Sequence, residues 1–174
     1  MLALVLALSF ATAPVAAGPF EDGEASYERG DYTTALRLYR PLAEQGNASA
    51  QFEIGRMYFN GHGVPQNFAE ALKWHRLAAD QGNVKAQVAL GIMYYIGQSV
   101  RRNLEEARKW FRLAADQSDS GAQAMLGAMY VNGAGVPKNY IEAMKWFRLS
   151  ADQGDDGFLP LVARPPPTQA LCIA

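Results

Sequence analysis

Residues 47–82 read NASAQFEIGRMYFNGHGVPQNFAEALKWHRLAADQG, and the same 36-residue frame returns without a gap at 83–118 and at 119–154. Ala50-Gln51 becomes Ala86-Gln87 and Ala122-Gln123. Gly55 becomes Gly91 and Gly127, and Met57-Tyr58 becomes Met93-Tyr94 and Met129-Tyr130. Lys73-Trp74 returns as Lys109-Trp110 and Lys145-Trp146, and Asp80-Gln81 as Asp116-Gln117 and Asp152-Gln153. A fixed period of this length marks a repeat array: one unit cannot bury its apolar face alone, and stacked units share a continuous core.

Each copy reads as two helices. Ala50, Ile54, Met57 and Tyr58 fall at helical spacing over about Ala48–Phe59. Asn60-Gly61 and Gly63-Val64-Pro65 then turn the chain. The second helix starts at Asn67, where Asn67-x-x-Glu70 predicts a reciprocal cap, repeated as Asn103/Glu106 and Asn139/Glu142. Ala71, Trp74, His75, Leu77 and Ala78 are expected to form its apolar stripe. Gly46, Gly82 and Gly154 stand where a left-handed residue ends a helix, and Asn47, Asn83 and Asp155 stand ready to cap the next; Asp119 does so after Ser118.

Upstream, Gly30-Asp31-Tyr32, Ala35 and Tyr39 fit a further pair at 18–46, with a second helix over about Tyr32–Gln45. The expected fold class is therefore all-α: an α-solenoid of about four stacked helix-turn-helix repeats, eight helices in all. Residues 1–17 read as a secretory signal peptide. Leu2–Phe10 is an apolar run broken only by Ser9, and Val15-Ala16-Ala17 supplies small residues at −3 and −1. No Lys or Arg precedes that run. The run is also too short to cross a bilayer, which needs about 20 residues. The mature chain is expected to begin near Gly18 and to be periplasmic or secreted. Residues 155–174 leave the period, because Phe158-Leu159-Pro160 stands where Ala-Gln would recur and Pro165–Pro167 cannot be helix interior. This tail is either a non-repeat cap or an unstructured end.

The 174 residues carry 16 Lys and Arg against 17 Asp and Glu. That balance lacks the positive excess of a nucleic-acid protein. A single cysteine, Cys172, excludes an internal disulfide and any multi-cysteine metal site. Two histidines at unrelated places make no metal centre, and no nucleophile–base set or phosphate loop recurs. No cofactor and no enzymatic activity are expected. Trp74, Trp110 and Trp146 share one slot in the period, which points to packing between repeats. His75 occupies the slot of Phe111 and Phe147 and is expected to pack like them, whereas His62 is expected to be exposed. Arg76/Asp80, Arg112/Asp116 and Arg148/Asp152 are spaced as i,i+4 pairs.

The pattern Ala-Gln…Gly-x-Met-Tyr…Gly-x-Gly-Val-Pro-x-Asn…Glu-Ala-x-Lys-Trp…Ala-Asp-Gln-Gly resembles the Sel1-like repeats, relatives of the tetratricopeptide repeats. The likeness covers about Gly23 to Gly154, and the first pair looks more like a plain tetratricopeptide unit. It implies a right-handed superhelix that presents a concave face to other proteins, with members acting as adaptors. The disulfide-stapled subtype does not fit, since no repeat holds a cysteine. One loop departs from the pattern: Gly97-Gln98-Ser99-Val100-Arg101 lacks the second glycine and the proline, and is expected to be more mobile or differently shaped.

Comparing the three copies singles out positions that vary on one face of the first helix. They are Phe52, Arg56 and Phe59, then Val88, Ile92 and Tyr95, then Ala124, Ala128 and Val131, with Lys85 and Ile96 extending the row. Spacings of three and four place each set on one face. The resemblance puts this face on the concave side, where it would take an apolar or amphipathic segment of a partner protein. The alternative is that neighbouring repeats or the tail cover it. A cell-wall enzyme with an unrecognised site, and a plain spacer, are the rival functions.

Overall fold

The computed structural model describes residues 18–154. The expected signal peptide at 1–17, the tail at 155–174 and Cys172 lie outside the described residues. Eight α-helices follow in order: α1 Pro19–Glu28, α2 Tyr32–Glu44, α3 Ala48–Asn60, α4 Phe68–Asp80, α5 Val84–Ile96, α6 Leu104–Asp116, α7 Ser120–Asn132 and α8 Tyr140–Ala151. Each packs on the next in chain order, as an α-solenoid requires.

The recurring residues now have reasons. Asn47, Asn83 and Asp119 each accept the N–H three residues on, at 2.8, 3.0 and 2.8 Å, and so start α3, α5 and α7. Asn67 and Asn103 cap α4 and α6 on two N–H groups apiece. The reciprocal half of the predicted cap does not form. The Asn67 N–H donates instead to the Tyr58 carbonyl at 2.9 Å, and Glu70 pairs with Lys73. The same i,i+3 pair returns as Glu106–Lys109 and Glu142–Lys145. Of the expected i,i+4 pairs, Arg112–Asp116 forms at 2.8 Å. Arg76 turns elsewhere, donating to the Tyr94 hydroxyl and lying over the Trp110 ring. Arg112 likewise lies over Trp146, so an arginine of one repeat covers the tryptophan of the next.

Glutamine carries the second repeat-to-repeat device. Gln51, Gln87 and Gln123 are buried and donate to the carbonyls of Ala43, Ala79 and Ala115, which end the preceding unit. Their own side-chain oxygens accept from Gln81, Gln117 and Gln153. Each of these helix-end carbonyls already accepts the N–H of Gly46, Gly82 or Ser118, and the glutamine supplies a second donor from the next unit.

The helix glycine provides clearance. A Cβ at Gly91 would sit 2.6 Å from the Phe111 ring, and one at Gly127 would sit 2.8 Å from the Phe147 ring. At Gly55 the neighbour is the His75 ring, also at 2.6 Å. His75 thus packs as the aromatic its slot predicts, 2% exposed. Leu77 does not join the stripe: it is half exposed, as are Leu113 and Leu149. Nor is His62 merely exposed. Its ring stacks on Tyr32 at 4.2 Å and shares a 2.6 Å hydrogen bond with the Tyr27 hydroxyl, tying the N-terminal pair to the first full repeat.

The unusual loop keeps the common shape. Ser99 takes φ 59°, beside 70° at Gly63 and 68° at Gly135. Ser118 does the same at a helix end, with φ 67° where Gly82 and Gly154 have 88°. The surrounding turns hold both serines in the left-handed region, which costs a residue with a Cβ roughly 1–2 kcal/mol. Part of that gain is offset when glycine is introduced, because glycine loses more chain entropy on folding. Ser118→Gly is expected to raise the unfolding free energy by about 1 kcal/mol in urea titrations, and Ser99→Gly by a similar amount.

Candidate protein-binding face

The varied face is built by α3, α5 and α7, and its members differ in exposure. Phe52, Arg56 and Phe59 of α3 meet Ala89 and Ile92 of α5 around a recess of about 170 Å³, with His75 of α4 also in its wall. Phe52 packs on His75 at 5.4 Å between ring centroids, and Phe59 meets Phe68 edge-on at 5.2 Å. These contacts fix the rings, so the recess is present before anything enters it. Ile92 stands at its edge, 41% exposed, and Ile96 one turn on is exposed as well. Lys85 is exposed too.

Other members of the set are partly covered. Val88 and Tyr95 pack against the core cluster around Phe111 and Leu126. Arg102 donates to the Tyr95 carbonyl at 3.0 Å and lies over its ring. Ala128 and Val131 are half-buried. Ala124 is 1% exposed: its small side chain is enclosed by neighbouring helices, so it cannot touch a partner. The row is therefore widest open over the first and second full repeats and closes toward the third.

Charge around the recess is held in a fixed arrangement. Glu53 is 5% exposed and pairs with Arg56, whose guanidinium lies 3.9 Å from the centroid of the Tyr27 ring. Burial pushes the Glu53 carboxyl up, and the Arg56 charge beside it works in the opposite direction. The other two copies have no such pair, since Ala89 and Met125 replace Glu53. A second recess of about 270 Å³ lies on the far side of Phe52, between Phe20, Glu24, Ser49, Glu53 and Lys85. Glu24 and Lys85 share that recess with Glu53, and their charges act on its carboxyl in opposite directions. Among the described residues no three His, Cys, Asp or Glu side chains group to hold a metal ion. No helix among them is long and apolar enough to cross a membrane.

Two lining residues escaped the comparison of copies. Ala89 and His75 are neighbours of the varied positions rather than members of them. The signal for His75 was its difference from Phe111 and Phe147 in the same slot.

A comparison with curated proteins finds no match. Among solved structures, the chain is 40% identical to a protective antigen of uropathogenic Escherichia coli strains, with a TM-score of 0.75 over 78% of this chain and 30% of that one. It is 36% identical to a Sel1 repeat protein from Oxalobacter formigenes, with a TM-score of 0.79 over 82% of this chain and 59% of that one. The chain thus spans 30% of the one relative's length and 59% of the other's, less than two thirds of either. Helicobacter pylori cysteine rich protein B, 20% identical with a TM-score of 0.55, covers 81% of this chain and 95% of its own, and shares the fold. The family model for the Sel1 repeat matches residues 18–47, 48–83, 84–119 and 120–155, including the N-terminal pair read from the sequence as tetratricopeptide-like. Repeats of this kind generally serve as scaffolds for contact between proteins. With four consecutive matches across an all-helical stack of the same period, the chain belongs to the Sel1 repeat family.

Proposed function

We propose that this chain is a non-catalytic scaffold that docks an apolar segment of a partner protein over the recess between α3 and α5. The observation that carries the reading is the recess itself: a preformed, ring-lined hollow with an exposed isoleucine at its edge. Rigid anchors lower the ordering cost of binding, and an aromatic wall offers a large contact area. Arg56 is held by Glu53 and Tyr27, and the exposed Lys85 beyond Phe52 favours a segment with an acidic flank. Export belongs to the same reading and rests on the apolar run 2–10 and Val15-Ala16-Ala17. N-terminal sequencing of the exported protein should begin at Gly18.

The test uses a photo-crosslinking side chain placed at Ile92, with Lys109 on α6 as the control position. Crosslinks to one partner are expected from Ile92 and not from Lys109. Phe52→Ala combined with Ile96→Glu, at an exposed position of the same row, should abolish them while helical circular dichroism is unchanged. Equal yields from both positions, or yields indifferent to the double substitution, would remove the recess as the docking site.

A further inference from the structure

The last helix among the described residues leaves an apolar patch open. Tyr140, Ile141 and Met144 of α8 are 50, 71 and 48% exposed. In the inner repeats one equivalent of each slot is partly buried against a core cluster that extends into the following unit. Leu72, which matches Met144, packs on the cluster of Ala86, Leu90 and Trp110. Leu104, which matches Tyr140, packs on the cluster of Leu126, Met129 and Trp146. Ile141 widens the patch, because its equivalents Ala69 and Glu105 are residues an exposed slot tolerates. An exposed end of this kind normally carries a polar capping unit.

We propose that residues 158–162 of this chain, Phe158-Leu159-Pro160-Leu161-Val162, dock on this end of α8 and close the solenoid. All five are apolar, and they start four residues after Gly154, where the described helix stack ends. Asp155-Asp156-Gly157 supplies a turn sequence between the two. The distances agree. The 12 residues of α8 are about 18 Å long at 1.5 Å each. Residues 155–162 reach about 26 Å at roughly 3.3 Å each, enough to run back to the level of Tyr140. Pro160 has no backbone N–H, which suits an extended strap. A tethered segment also binds at a high effective concentration, which a separate molecule lacks.

The test compares the full chain with its Phe158→Glu/Leu161→Glu variant by amide hydrogen exchange and light scattering. The two positions lie on opposite sides of an extended segment, so neither orientation escapes. Exchange in α8 should rise at least tenfold in the variant, with α3–α6 unchanged, and both chains should be monomers. Ile141→Glu, at an exposed slot that does not disturb packing, should give the same rise. Unchanged α8 exchange in the tail variant overturns the proposal. So does a dimer that Ile141→Glu dissociates and the tail variant does not, since a second copy then covers the patch.

Discussion

Gly91→Ala is expected to lower the unfolding free energy by about 2 kcal/mol. Helix propensity alone points the other way, favouring alanine by about 1 kcal/mol within a helix. The decisive fact is space. The new Cβ would lie 2.6–2.9 Å from three carbons of the Phe111 ring, and Phe111 is fully buried, with no free volume to retreat into. Overpacking a closed core costs about 1–3 kcal/mol, and relief here requires α5 and α6 to separate. The check is a double-mutant cycle in urea. Phe111→Leu trims the ring and should destabilise the parent, yet cost less in the Gly91→Ala background. Strict additivity would mean that Gly91 does not serve as clearance for that ring.

The second large effect is a dependence on pH written into one slot. His75 is enclosed between α3 and α4, and burial lowers its pKa from the ordinary 6.5 to about 4. In the unfolded chain the ring takes a proton near pH 6.5, while the folded protein refuses it until about pH 4. Between those values the unfolded state binds more protons, so stability falls as pH falls. The loss across the window is about 3 kcal/mol, complete near pH 4 and absent above about pH 7. His75→Phe installs the residue that Phe111 and Phe147 already place in the equivalent position. Urea midpoints of parent and variant, taken at intervals from pH 7 to 4, should diverge steadily as the acid side is approached. Glu53 and the other carboxylates titrate in both proteins, so they cancel in the difference. Parallel curves would show that the ring is protonated in the folded state after all.

The repeat, its eight helices and its caps could be read from the sequence because each rests on local chemistry: helical spacing, Asn before a helix, Gly after it. Trp110 and His75 could be placed for the same reason, since position within the period says what a side chain touches. The misreadings have one physical source, which is that several groups compete for each partner. Glu70 fits a reciprocal cap by spacing, but the Asn67 N–H was already taken by the Tyr58 carbonyl. Arg76 fits a pair with Asp80, but the Tyr94 hydroxyl and the Trp110 ring of the next repeat were within reach. Ser99 suggested a differently shaped loop, yet the flanking helices hold the turn against the preference of serine. Ala124 belonged to the varied face by arithmetic, but a methyl group cannot emerge between packed helices. The recess of Phe52, Phe59 and Ile92 combines two successive units, so no reading of one helix at a time would have outlined it.

The glutamine ladder has an implication for how such a protein changes length. Each unit brings a complete rung: one amide that reaches back to its predecessor's last turn, and a second that closes on the first. The glutamine contacts at the seam are the same wherever it falls. A gene segment encoding 36 residues can therefore be duplicated or deleted at any of these seams, and the glutamine rung closes again between both new neighbours. Whole-unit gain or loss keeps every rung, whereas a change of even one residue in the period turns the buried amide away from the carbonyl it reaches.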